Sequence, residues 1–358
     1  MRKISFGIVG GGWRAQFFLR VAREIDDLFE VKVIVEPNEK TAEKLKAEWN
    51  IPVVRDTDAL EEYRESVEFL VLCLRPELLP EVVKELTDRE YYILTETFSM
   101  ETEEDLCRYY ESVSRPELIQ IAEQYWLRPM HQARLRLISE GMIGEATQAQ
   151  ISIGHGYHGI SLLRKYLDVM YEPCRIHAWC FKNNLVKGPG RAGYPEKEEI
   201  ITDQQTVGIF EFENKWGLYD FTEEQYFSEI RGYRMLVRGE KGEIDDRFVR
   251  YLEDFKTPVI LPMVRLDSGA DGSMGVPGNE GIIWGTKWAY QSPFGVRRLS
   301  DDEIAIATVI QNMSDYIISG KSFYSFNEGC QDQYLDILMK KSIETGRTVE
   351  TKPQTWMV

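Results

Sequence analysis

Cysteine is scarce in this chain: five in 358 residues, Cys73, Cys107, Cys174, Cys180 and Cys330, with no C-x-x-C pair. An odd number at irregular spacing excludes a disulfide framework and a finger-type zinc site, so a reducing cytoplasm and no bound metal are expected. Long apolar runs are missing as well. The longest, Phe69 to Leu74, is far short of the ~20 residues that cross a bilayer. Positive charge is in deficit: 43 Lys and Arg stand against 59 Asp and Glu, a net charge of −16. Such a field repels phosphate polymers and anionic headgroups, so neither nucleic acid nor a membrane surface is expected as a partner. A signal peptide is not expected either. The start, MRKISFGIVGGG, is basic and then apolar, but glycines follow at once and Trp13-Arg14 stand where a cleavage region belongs.

What is present is ordinary globular material, 43% hydrophobic and 12% aromatic, in a length that suits two domains. Residues 1–122 alternate short β-rich apolar runs (Ile4–Val9, Val31–Val35, Val53–Val54, Phe69–Leu74, Tyr92–Thr95, Leu118–Ala122) with helical patterns near 13–24, 38–49, 57–65, 77–88 and 101–114. Nearly continuous apolar strands joined by helices predict a doubly wound parallel sheet of the Rossmann kind, because a parallel crossover requires a long connection. After Glu123 the rhythm changes. A helix near 129–140 leads into period-two stretches (Thr147–Ile153, Arg175–Phe181, Gln205–Glu213, Trp216–Phe221, Tyr233–Arg238), which predict a mostly antiparallel sheet with one covered face. Residues 123–358 are therefore expected to form an α+β domain for substrate binding and oligomerisation, and the chain as a whole is α/β. Ser300–Glu303 has the form of a capping box opening a helix over 301–319, with another near 327–345. Ser268–Gly281 is glycine-rich and reads as a mobile loop or an inert surface excursion.

The first strand ends in Gly10-Gly11-Gly12-Trp13-Arg14-Ala15, a G-x-G-x-x-A turn opening a helix. Gly10 permits the tight turn, Gly12 lets backbone approach a pyrophosphate, and Ala15 lets helix and strand pack closely. Glu36, at the end of the second strand, is placed to accept hydrogen bonds from an adenine ribose 2′-hydroxyl and to repel a 2′-phosphate, which points to NAD rather than NADP.

Further along, Glu36-Pro37-Asn38, Tyr125–Pro129, Gly144-Glu145, Val237–Ile244 (VRGEKGEI) and Ser319–Arg347, ending in E-T-G-R, complete a pattern spread over nearly the whole length. This pattern resembles the Gfo/Idh/MocA family of glucose–fructose oxidoreductase and inositol-dehydrogenase-like proteins. The resemblance implies a Rossmann domain followed by an α/β domain whose open sheet makes a dimer or tetramer. It also implies three site motifs, and the chain departs from each. The family's E-K-P after strand five reads Glu96-Thr97-Phe98, so threonine replaces the catalytic lysine. Its H-x-x-D pair reads His158-Gly159-Ile160-Ser161, so serine replaces the aspartate. Its T-P-x-x-x-H on the nicotinamide side reads Arg75-Pro76-Glu77-Leu78-Leu79-Pro80.

Oxidising a carbinol needs a base for the hydroxyl proton while hydride leaves carbon for the nicotinamide. Thr97 is neutral and a poor base, which leaves His158 as the proton acceptor, Thr97 as a hydrogen-bonding wall, and Tyr157 and Ser161 as neighbours able to hydrogen-bond. Tyr157, Tyr125, His155 and Lys165 are reserves. Arg75 is expected at cofactor phosphates or an anionic substrate, or in solvent; Glu96 at the strand-five loop beside the nicotinamide ribose. Aromatic residues at Tyr125-Trp126, Tyr157, Trp179, Trp284, Trp288 and Tyr290 suit a carbohydrate-type ligand or, equally, core and interface. The leading expectation is an NAD(H)-dependent oxidoreductase acting on a sugar, sugar acid, cyclitol or glycoside. The alternatives are a nucleotide-binding sensor or regulatory subunit without redox chemistry, and a glycoside-cleaving or epimerising enzyme with no net redox change.

Overall fold

The computed structural model describes residues 3–269 and 277–357. The first half is built from β1 (Ile4–Val9), α1 (Ala15–Glu24), β2 (Phe29–Val35), α2 (Glu39–Trp49), β3 (Val53–Val54), β4 (Phe69–Leu72), α3 (Leu79–Asp88), β5 (Ile93–Thr95), α4 (Glu103–Ser112) and β6 (Ile119–Ile121). Its strands form one sheet in the order β3-β2-β1-β4-β5-β6, and every pairing is parallel. The doubly wound reading therefore holds, with one change: the stretch near 57–65 is a 3-10 helix, Asp58–Ser66. Register fixes the site. Val9 pairs with Leu72, Leu72 with Thr95, and Thr95 with Ile121, so the strands end together and present Gly10, Cys73, Glu96 and Ala122 along one edge. The strand order reverses between β1 and β4, and the crevice beyond the carboxyl ends at such a point is where open α/β sheets bind ligands.

The second half contains α5 (Pro129–Ser139), β7 (Ala146–Ser152), α6 (Gly156–Leu167), β8 (Arg175–Val186), β9 (Ile200–Glu211), β10 (Trp216–Thr222), β11 (Arg234–Gly239), β12 (Gly242–Asp245), β13 (Phe248–Leu252), β14 (Pro258–Ser268), β15 (Gly278–Trp284), β16 (Lys287–Gln291), α7 (Asp301–Ser319), α8 (Phe326–Thr345) and β17 (Val349–Glu350). The strands make an eleven-stranded sheet, β16-β15-β14-β13-β12-β11-β7-β10-β9-β8-β17. All neighbours are antiparallel except β7 and β10. The period-two stretches are thus strands. Those after Arg238 are an addition, because Pro258 and Pro262 in β14 and the glycines of β15 mask the alternation. The glycine-rich stretch is corrected at its ends: Ser268 closes β14 and Gly278–Gly281 open β15, while 270–276 lie outside the described residues.

Two late helices join the halves. The capping box at Ser300 and Glu303 forms, and α7 spans the predicted range to its C-cap Gly320. Its buried Ile306, Val309, Ile310 and Met313 share a core with Phe18 and Leu19 of α1, so the helix returns to the first sheet. Each such buried side chain contributes roughly 1.5–3 kcal/mol. The other helix, α8, is wedged between the two halves and buries Phe326, Cys330, Leu335 and Leu338, together with Asp332. Against the large sheet lies α6, with Ile160, Leu162 and Leu163 buried.

Candidate active site

The glycine turn sits at the centre of the shared edge. Gly10 has φ +97°, and a Cβ there would stand 2.6 Å from the Cys73 carbonyl oxygen at the end of β4. Only glycine permits both. A Cβ on Gly12, by contrast, would meet nothing within 4 Å. That open side faces the start of α1, which has no side-chain cap and no acidic residue in its first turn. Its first N–H groups and dipole are thereby left for an anion. Ala15 is fully buried under the helix, as close helix–strand packing requires. Glu36 follows β2, and its carboxylate accepts from the backbone N–H groups of Gly11 (2.9 Å) and Asn38 (2.8 Å). Trp13 is half exposed beside the turn, and the Arg191 guanidinium, from the connection between β8 and β9, lies 4.2 Å over its ring.

Arg14 reaches from this turn to Glu96, its Nε donating to Oε1 at 2.8 Å, and it lies 4.0 Å from Asp302. Asp302, in the first turn of α7, also accepts from Arg128 at 2.8 Å. Burial pushes the Glu96 carboxyl up, and the adjacent guanidinium opposes that shift. Glu96 is thus already engaged by Arg14. The Arg14 Nη2 atom is buried without a partner among the described residues. A buried, unpaired donor beside an open glycine cradle and an uncapped helix start fits a phosphate-bearing dinucleotide. Arg75 and Pro76 follow β4 at the same edge as exposed residues.

The reacting side is assembled from three segments. Thr97 follows β5, and its hydroxyl donates to the Tyr157 Oη at 3.3 Å. Tyr157 and His158 occupy the first turn of α6. Gly154, at φ +72°, lets the chain turn there, since a Cβ would lie 2.9 Å from the His158 Cβ. The imidazole of His158 is packed between the Tyr125 and Tyr157 rings, with centroids 4.7 and 4.5 Å away. Its Nδ1 is 2.5 Å from Oε2 of Glu123, the residue two beyond β6. Burial lowers the imidazole and raises the carboxyl, since each loses solvation when charged. Thr97, Tyr157, Glu123, Tyr324 and Asp332 share a cavity of about 10 Å³, room for about one water molecule.

His158, Thr97 and Tyr157 are therefore brought together. Ser161 is not part of that group: its hydroxyl donates to the His158 main-chain carbonyl at 2.8 Å, the i−3 back-bond common for serine inside a helix. Among the reserves, Tyr125 flanks the ring, but His155 is tied by its ring and its main-chain N–H to the Tyr226 hydroxyl. Lys165 pairs with Glu328 at 2.8 Å over the Trp126 and Tyr324 rings. Of the aromatics, Trp179 is exposed on β8 and stacks on His177, and Trp284 is buried against Tyr251. Trp288 and Tyr290 lie in β16, on the outer reach of the large sheet. Sequence reasoning missed Glu123, Asp332 and Tyr324. Asp332 is buried, accepts from the Tyr324 hydroxyl and pairs with Arg164. A signal for Glu123 was present: a carboxylate directly after the apolar strand I-Q-I-A stands at the ligand-binding edge of a parallel sheet.

Residues 4–113 match the model of an oxidoreductase family with an NAD-binding Rossmann fold, Gfo/Idh/MocA. The glycine turn and parallel sheet thus define an NAD-binding Rossmann domain of the oxidoreductase class. The match covers the first domain and supports a Gfo/Idh/MocA family oxidoreductase. No curated protein matches the sequence. Solved structures share the whole two-domain fold. An oxidoreductase from Agrobacterium radiobacter, in complex with NAD+, L-tartaric acid and magnesium, superposes at TM-score 0.70 with 12% identity, over 98% of each chain. A levoglucosan dehydrogenase in complex with NADH and levoglucosan gives 0.69 and 15%, over 98% of this chain and 100% of that one. A myo-inositol dehydrogenase from Corynebacterium glutamicum gives 0.65 and 13%, over 98% and 100%.

Proposed function

We propose that this protein is an NAD(H)-dependent oxidoreductase that interconverts a carbinol and a carbonyl on a sugar, sugar acid, cyclitol or glycoside. The observation that carries the reading is the meeting of His158 with the hydroxyl pair Thr97–Tyr157 on the sheet edge that also holds the glycine turn. When bound, NAD supplies the hydride acceptor for carbinol oxidation. Gly10, Gly12, Trp13, Arg14 and Ala15 would hold its pyrophosphate at the start of α1, and Glu36 would take the adenine ribose hydroxyls, which favours NAD over NADP. Arg75 and Pro76, exposed after β4, would lie beside the bound cofactor, and Glu96 steadies Arg14. His158 takes the carbinol proton, and the hydroxyls of Thr97 and Tyr157 orient the substrate oxygen.

The substrate class draws support from neighbours named for levoglucosan and myo-inositol. The exposed Trp179 and Phe181 of β8 and Trp216 of β10 form one apolar patch on the outer face of the large sheet, and Ile260 and Val264 of β14 a second beyond a polar stretch, an arrangement that suits a homodimer or tetramer. Five free cysteines suit a reducing cytoplasm.

Purified protein is incubated with NAD or NADP and a panel of sugars, sugar acids, cyclitols and glycosides, with nicotinamide absorbance and product mass followed together. NADH formation with at least one carbinol, and weaker response with NADP, is the expected result. No absorbance change and no product across the panel would remove the proposal, and product without net NADH would replace it with internal-redox cleavage or epimerisation.

A further inference from the structure

We propose that Glu123 is the positioning residue of this site: from the end of β6 it fixes the tautomer of His158 so that Nε2 is the nitrogen offered to the carbinol proton. The proposal rests on the oxidoreductase reading and supplies what Ser161 cannot. In the family pattern a carboxylate stands three residues after the histidine, on the same helix. Here that hydroxyl is spent on a main-chain carbonyl, and the carboxylate arrives from the segment that follows β6 of the parallel sheet.

Glu123 is 1% exposed, and its Oε1 accepts from the Tyr125 main-chain N–H at 3.1 Å, so the group is anchored before it meets the imidazole. With Oε2 at 2.5 Å from Nδ1, that nitrogen is occupied and Nε2 is left for substrate. The flanking Tyr125 and Tyr157 rings keep the imidazole from turning. Burying a carboxylate whose hydrogen-bond partners among the described residues are an imidazole and one N–H is poor design for stability, and perturbed buried groups of this kind cluster at working sites.

In the proton-accepting form, Glu123 is ionised and Nδ1–H points to it. The carbinol O–H then gives its proton to Nε2, and the resulting positive charge on the ring is held by the carboxylate, or neutralised as the Nδ1 proton passes to Oε2. One proton leaves substrate oxygen and one is gained by the pair. The charged groups around the pair are the carboxylates Glu96, Asp302 and Asp332 and the cations Arg14 and Arg128. The imidazole of His155 and the phenols of Tyr125 and Tyr157 complete the surroundings. Burial carries the Glu123 carboxyl up to about 8. Below that pH the pair already holds the proton it must accept, so carbinol oxidation rises with pH through about 8, as a property of the pair rather than of either residue.

The test compares wild type with Glu123→Gln and Glu123→Asp. In Glu123→Gln the amide oxygen keeps the Tyr125 N–H, and the amide N–H₂ faces Nδ1, which moves the ring proton to Nε2. Nitrogen NMR of ¹⁵N-histidine-labelled protein at about pH 9 should show His158 protonated at Nδ1 in wild type and at Nε2 in the variant. With a turned-over carbinol, Glu123→Gln should lower kcat roughly 10²-fold, within the range of acid–base contributions, with KM nearly unchanged. It should also abolish the rise in rate near pH 8, and Glu123→Asp should restore part of both. An unchanged tautomer in Glu123→Gln, or an unchanged pH profile, would overturn the proposal. Should no carbinol be oxidised by wild type, the oxidoreductase reading fails by itself, while the NMR arm still decides whether Glu123 sets the tautomer.

Discussion

The cofactor edge and the reacting centre lie side by side in this molecule and are built by different means. At the cofactor edge the work is done by backbone: a left-handed Gly10, an open side at Gly12 and an uncapped helix start, all within one strand–turn–helix unit. At the reacting centre it is done by side chains drawn from β5, β6 and α6, held by hydrogen bonds between residues 60 and 35 positions apart in the chain. The first region keeps the glycine turn of the matched NAD-binding family, and the second departs at Thr97 and Ser161 from the pattern the sequence resembles. A backbone cradle tolerates little substitution, whereas a carboxylate beside a histidine can be supplied from any element that passes within reach.

Substitutions can break that contrast. The largest effect is expected for His158→Ala, which should lower kcat by roughly 10²–10⁴-fold while leaving the Kd for NAD within about twofold; retained turnover removes His158 from the chemistry. Next, Gly12→Val should weaken NAD binding by more than about tenfold with little change in Tm, because its side chain enters empty space that the pyrophosphate requires. Gly10→Ala should instead lower stability, by about 1–3 kcal/mol from the left-handed backbone alone, with a further loss from its clash with the Cys73 carbonyl. Equal effects of these two on Tm would contradict the division of labour within the turn. Glu36→Ala should reduce the preference for NAD over NADP by about 10- to 100-fold, the worth of hydrogen bonds to a charged group, as read by comparing kcat/KM for the two cofactors. The smallest effect belongs to Ser161→Ala. Losing one back-bond should cost about 1 kcal/mol of stability and leave kcat within about twofold; a large fall in kcat would return Ser161 to the machinery.

The same contrast explains what could be read from the chain. Residues 4–24 carry strand, turn and helix in one contiguous stretch, so local periodicity and glycine spacing sufficed for the cofactor edge. The capping box at Ser300 set the start of α7 to the residue. The meeting of Thr97, Tyr157 and His158 followed from motif positions, but the partner of His158 did not. Ser161 sits at helical spacing from His158, and nothing local shows that its hydroxyl turns to the backbone. Glu123 and Asp332 come together with the site only because β6 and α8 are adjacent in space. Strands β14 and β15 escaped because proline and glycine interrupt their alternation, and β13 and β16 because each is only five residues long; pairing with neighbours overrides the weak local signal. Trp284 shows the limit of composition, since its ring fills a core rather than a ligand site.

The most direct measurement is a crystal structure with NAD and a carbinol identified from the panel. The nicotinamide is expected in the crevice between Thr97 and His158, with the carbinol oxygen about 3 Å from the His158 Nε2. A nicotinamide bound elsewhere, or a carbinol oxygen served by a different proton carrier, would contradict that assignment.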